Sequence, residues 1–228
     1  MDDGDKRELP AGPSREAGPS AQSPEAARRP AGWPCLARWV SGALSPFLTV
    51  PAILVLPVAR YVEGWPERIA FFGLMVATGV VLPFLAIFLA VRQRRVSDVH
   101  LADLASRPRY VALCFAFVLA GLVGLVLVRA PKPVTVYFGC YALAMAAGGS
   151  ISVAYKISGH CMALGGILAG LLFEAPAWAP VAAVALLLVA WARVRRGRHT
   201  VLQCLMGGLV GFVCVAGGVA LGARVFGY

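Results

Sequence analysis

Residues 178–223 read WAPVAAVALLLVAWARVRRGRHTVLQCLMGGLVGFVCVAGGVALGA, two apolar runs separated by a short polar island that holds Arg193, Arg195, Arg196, Arg198 and His199. Each run is of the order of the ~20 apolar residues that a helix needs to cross hydrocarbon. Charged and imidazole groups beside such spans are costly to keep, so they mark candidate functional positions. A second island, Lys156-Ile157-Ser158-Gly159-His160, interrupts the apolar sequence further upstream.

The same pattern places spans at 41–62, 68–91, 109–129, 134–153, 159–175, 178–193 and 200–223. The fold class expected is all-α, a polytopic transmembrane helix bundle of six to seven spans occupying residues 39–228. The fifth and sixth spans are short, and the Pro-rich break from Glu174 to Pro180 also suits a bent or re-entrant segment. Pro46, Pro51 and Pro57 predict kinks in the first span and Pro83 predicts one in the second.

Composition agrees with a membrane protein: 59% of residues are hydrophobic, 14% are charged and the mean hydropathy is +0.76. The six cysteines lie mostly within apolar runs, without a CxxC pair, and read as small hydrophobes. The net charge of +10 comes without an aromatic-interleaved basic stripe, so nucleic acid is not an expected partner and basic loops bordering anionic lipid are. Residues 1–38 are rich in Pro, Gly, Ala, Ser, Glu and Arg and nearly devoid of large apolar groups, which predicts a disordered, retained tail without a signal peptide.

If all seven spans cross, the linker 92–108 and both islands emerge on one side, because two spans separate each from the next. Three distant segments then converge on one membrane face, as a site built from several helices requires. Sixteen basic residues fall on that face against five opposite. The positive-inside rule makes it cytoplasmic, in the plasma (inner) membrane.

The residue types suggest phosphate chemistry. A phosphate ester needs fixed cationic donors, preferably guanidinium groups that bind two oxygens at once, and Arg107 and Arg193 are the candidates. Hydrolysis without a metal also needs a nucleophile available near neutral pH and an acid for the leaving oxygen, which two histidines can supply. All three histidines, His100, His160 and His199, fall in polar segments of the expected site face.

Spacing sharpens this. Arg193-x5-His199-x3-Gln203-x3-Gly207 resembles the third motif of the type 2 phosphatidic acid phosphatase superfamily, Ser-Arg-x5-His-x3-Asp with a Gly four residues later. Ser158-Gly159-His160 matches the second motif, and His100-x6-Arg107-Pro108 aligns with the first, Lys-x6-Arg-Pro. The resemblance spans roughly residues 92–211. It departs from the family at Gln203 for Asp, at His100 for Lys and at Ala192 for Ser.

The resemblance implies a helical membrane bundle and a metal-independent phosphatase that acts on a lipid phosphate or isoprenoid diphosphate through a phosphohistidine, with no cofactor. Carried over by position, His199 is the nucleophile and His160 the general acid. Arg107, Arg193, Ser158 and the Gly159 amide hold the phosphate, and Gln203 stands four residues along the helix to orient His199. Lys156 is placed to supply the charge that His100 does not carry permanently. The phosphate is also expected at a helix N-terminus, since the residues after Ser158 begin an apolar run. The departures keep a second reading open, a weakly active or inactive relative serving as a phospholipid-binding, transport or scaffold protein.

Other polar residues carry less. Arg195, Arg196 and Arg198 read as lipid-headgroup anchors. Asp98 and Asp103 lack a third ligand and specify no metal. Gly165, Gly166, Gly170, Gly207, Gly208 and Gly211 read as close helix packing.

Overall fold

A computed structural model describes residues 33–94 and 107–228. Within them the chain is helical and has no strand. Nine α-helices appear among the described residues: α1 (Trp33–Ala43), α2 (Pro46–Tyr61), α3 (Trp65–Val76), α4 (Leu82–Arg92), α5 (Arg107–Leu127), α6 (Lys132–Ala154), α7 (Gly159–Glu174), α8 (Ala179–Arg195) and α9 (Val201–Phe226).

Among the described residues six segments are long and apolar enough to cross a membrane: Cys35–Tyr61, Trp65–Arg92, Pro108–Leu127, Lys132–Ala154, Pro176–Arg195 and Val201–Phe226. The chain is an all-α integral membrane protein, and its outward-facing Leu187, Leu205, Leu209 and Val213 suit a lipid-facing surface. The remaining segment, α7, has 16 residues and is shorter than a standard span. At 1.5 Å per residue it covers about 24 Å.

Prolines punctuate the bundle for specific reasons. The first span breaks at Leu44-Ser45, where Pro46 opens α2 at a position whose missing N–H costs no helical bond. In the second span Pro83 cannot donate to the carbonyl of Gly79, four residues back. The chain responds with a π-turn at Ala77–Val81, and the released Gly79 carbonyl accepts a 2.8 Å bond from the Tyr141 hydroxyl of α6.

The helical region starts earlier than expected. Trp33 to Arg38, assigned from composition to the tail, form the first turns of α1, and Trp33 meets Trp191 of α8 edge to face at 5.6 Å between ring centroids. The rest of the tail lies outside the described residues.

Glycines set the contact between α7 and α9. A Cβ at Gly165 would run into the carbonyl of Gly208, and one at Gly211 into the carbonyl of Met162. With no hydrophobic drive between helices in lipid, such close backbone approach is a main source of cohesion. Elsewhere the core is built from larger groups of α2, α3, α5 and α6, including Leu54, Met75, Val118, Leu125 and Phe138.

Glu174 anchors the far end of α7. Its carboxylate pairs with Arg60 at 3.1 Å and accepts bonds from the hydroxyls of Tyr61 at 3.2 Å and Tyr137 at 2.8 Å. The ends of α2 and α7 therefore meet at one end of the bundle, while Pro46 and Gly159 at their starts meet at a cavity at the other. So α7, although short, carries the chain from one end of the bundle toward the other, and the same-side relation of the two islands holds.

Candidate functional site

The islands converge through local structure that their sequences encode. At the end of α8, Arg196 is followed by Gly197 in the left-handed region at φ +64°. The Gly197 amide donates to Val194 O at 2.9 Å and the Arg198 amide to Arg193 O at 3.1 Å, the paired bonds of a Schellman ending. The glycine between Arg193 and His199 thus turns the chain back over the helix that carries Arg193.

His199 precedes α9, and its Nδ1 lies 3.2 Å from Gln203 Oε1. The same oxygen accepts from the Thr200 amide at 3.1 Å, while Thr200 Oγ1 accepts from the Gln203 amide, which completes a capping box. A backbone amide can only donate, so the Gln203 atom facing Thr200 is the oxygen. Nδ1 of His199 is then the donor in this bond, which directs Nε2 away from Gln203.

Ser158 is fully buried and caps α7, its Oγ accepting from the Cys161 amide at 3.4 Å. Its own amide donates to the Gln203 carbonyl at 3.0 Å, a main-chain bond that joins the two islands directly. Gly207 makes this possible, because a Cβ there would collide with the Ser158 carbonyl. The spacing from Gln203 to Gly207 is a packing requirement: one turn on from Gln203, α9 must be bare where Ser158 rests.

One cavity of about 520 Å³ is lined by Lys156, Gly159, His160, Arg193 and His199. Arg38, Arg196 and Arg198 also line it, and among the described residues no Asp or Glu does. His160 is 8% exposed and Arg193 6%. Arg193 Nη1 donates to Ser41 Oγ of α1 at 3.2 Å, whereas its Nε is buried without a hydrogen-bond partner. Leaving a guanidinium N–H unpaired in the interior is costly, and Arg193 as a cation in the cavity wall suits an anion.

Of the residues expected at the site, Lys156, Gly159, His160, Arg193 and His199 line this cavity, and Ser158 and Gln203 position them. Arg107 opens α5 one turn before Val111, which lines the same cavity. Its side chain, and all of His100, Asp98 and Asp103, lie outside the described residues.

The site also has parts that the sequence did not single out. Arg38 and Ser41 come from α1, upstream of the motif-bearing region, and their spacing of three places them on one helix face. Arg196 and Arg198, read from sequence as headgroup anchors, line the cavity because the Gly197 turn folds them over it. Arg195 faces a separate lipid-side groove. Compared with known proteins, the chain matches no family model, no curated protein and no solved structure.

Proposed function

We propose that the protein is a membrane-embedded, metal-independent phosphatase that hydrolyses a lipid phosphate or isoprenoid diphosphate through a phosphohistidine. The observation that carries this reading is the pairing of His199 with Gln203 Oε1 beside His160 and Arg193, in a cavity lined by cations. The phosphate oxygens bind Arg193, Lys156 and the N-terminal amides of α7, and the motif resemblance gives Arg107 the same role.

In the first step Nε2 of His199 attacks phosphorus, and the N–P bond forms as the P–O bond to the lipid breaks. The leaving oxygen takes a proton from His160, which ends neutral. In the second step neutral His160 accepts a proton from water as that water attacks phosphorus. The N–P bond breaks, inorganic phosphate forms, and both histidines return to their starting states. Gln203 Oε1 keeps Nδ1–H directed and supports the charge of the phosphorylated ring.

The basic excess on the cavity side supports a cytoplasmic site in the plasma (inner) membrane. Labelling Ser97→Cys in a Cys35→Ser background tests it: reaction with an impermeant maleimide from outside intact cells refutes the orientation.

A second reading, binding of phosphorylated lipid without turnover, draws on the uncharged partner of His199. Phosphate release by purified protein from a panel of lipid mono- and diphosphates, compared with His199→Ala, separates the two. Release well above the variant supports the enzyme. Release equal to the variant's refutes it, and saturable lipid-phosphate binding in that case supports the second reading.

A further inference from the structure

Beside the polar cavity lies a second one, of about 210 Å³, enclosed by α2, α6, α7 and α9. The two share Pro46 and Gly159 in their walls. At Gly159 no side chain stands in this shared wall, and even a Cβ there would meet nothing within 4 Å.

The inner cavity is apolar. Val50, Leu54, Met162 and Val215 line it together with the rings of Tyr137 and Tyr141. Both tyrosine hydroxyls are engaged elsewhere, Tyr137 with Glu174 and Tyr141 with the Gly79 carbonyl, each at 2.8 Å. A hollow of this kind offers water no partners and suits hydrocarbon. From Pro46 to Leu54 it runs along α2 for eight residue steps, about 12 Å at 1.5 Å per step.

We propose that this cavity is the subsite for one hydrocarbon chain of the phosphorylated lipid, holding its head-proximal segment inside the bundle and not among the bilayer lipids. The proposal rests on the phosphate-site reading for the position of the headgroup. The shared wall decides the occupant: a chain attached to a phosphate held near Gly159 has this cavity next to it. The larger groove between α8 and α9, lined by Leu187, Leu205 and Leu209, shares no lining residue with the polar cavity. The ligand class is a lipid phosphate that offers a single narrow chain, alkyl or prenyl, near its head.

The test is photolabelling of the full chain in nanodiscs with a dodecyl phosphate carrying a mid-chain diazirine, mapped by peptide mass spectrometry. Labels on Val50, Leu54 and Met162, competed by unlabelled dodecyl phosphate and reduced at least tenfold in Ala144→Phe, are the expected result. If Ala144→Phe does not fold, Ala163→Leu takes its place, and the wild-type map alone decides the location. Labels confined to Leu187, Leu205 or Leu209, or no competable label in the inner cavity, overturn the proposal. Labelling needs no turnover, so the outcomes separate: cavity labelling without phosphate release sinks only the phosphatase reading, and phosphate release with labels elsewhere sinks only the tail subsite.

Discussion

Gln203→Asp is the most informative perturbation, because it adds one charge at a position whose contacts are known. Gln203 Oε1 lies 3.2 Å from His199 Nδ1. In the proposed phosphohistidine state the ring would be cationic, and a carboxylate about 4 Å from that charge would attract it by about 4 kcal/mol at an effective dielectric of about 20. Desolvation of the new carboxylate offsets part of this, and the gain of a charge-assisted over a neutral hydrogen bond is about 1 kcal/mol. A net ~1–2 kcal/mol corresponds to roughly 5- to 30-fold in turnover. Asp is one methylene shorter and weakens the reciprocal bond to the Thr200 amide, so up to about 1 kcal/mol of stability is lost with the capping box. Gln203→Asn provides the control, having the length of Asp without its charge. The assay is single-turnover phosphate release from a lipid phosphate, with the pH–rate profile of each variant. The expected order is Asp above Gln above Asn, and the acid limb for Asp moves to higher pH because a carboxylate favours the protonated ring. Turnover of Gln203→Asp at or below that of Gln203→Asn refutes the assignment of His199 as a nucleophile oriented through residue 203.

The same geometry sets the outcome of four further substitutions. Ser41→Ala removes the acceptor from Arg193 Nη1. It should raise KM for the lipid phosphate by about 10-fold, in line with a hydrogen bond to a charged group of about 1.5–3 kcal/mol, and Ser41→Thr should restore it. An unchanged KM in the Ala variant counts against the anchoring role. Gly211→Val forces side-chain atoms against the Met162 carbonyl and should cost at least about 2 kcal/mol, seen as a lower unfolding midpoint in detergent. Gly159→Ala, where a Cβ meets open space, should leave that midpoint unchanged. Glu174→Leu strips Tyr137 of its acceptor and should cost about 1–3 kcal/mol while leaving phosphate release at the remote cavity intact.

Much of the bundle was legible because spans are local facts. An apolar run of sufficient length must satisfy its backbone internally, and proline removes one identifiable bond, so helix positions and the break at Pro46 could be read off. What followed from that break could not. Pro83 frees the Gly79 carbonyl, but only packing shows that Tyr141, 62 residues away, takes it up. Trp33 to Arg38 look like tail by composition and become helix through the contact of Trp33 with Trp191, which sequence separation hides.

The candidate site divides in the same way. His160, Arg193, His199 and Gln203 could be named because their spacing is fixed within single segments, and an offset of four along a helix puts Gln203 beside His199 whatever the rest of the chain does. Arg38 and Ser41 carry no such spacing relation to the islands. Their part depends on where α1 lands against α8, a matter of tertiary packing.

That this is a helical membrane protein with its histidines and many of its cations gathered in a few polar segments follows from the residues alone, because burial cost and helical periodicity act over a few residues at a time. That the two islands share one cavity, with an apolar cavity beside it, emerges only from how the helices pack. That outcome depends on α7 and α9 meeting backbone to backbone at Gly207, Gly208 and Gly211, a contact between segments some 50 residues apart that no local pattern specifies.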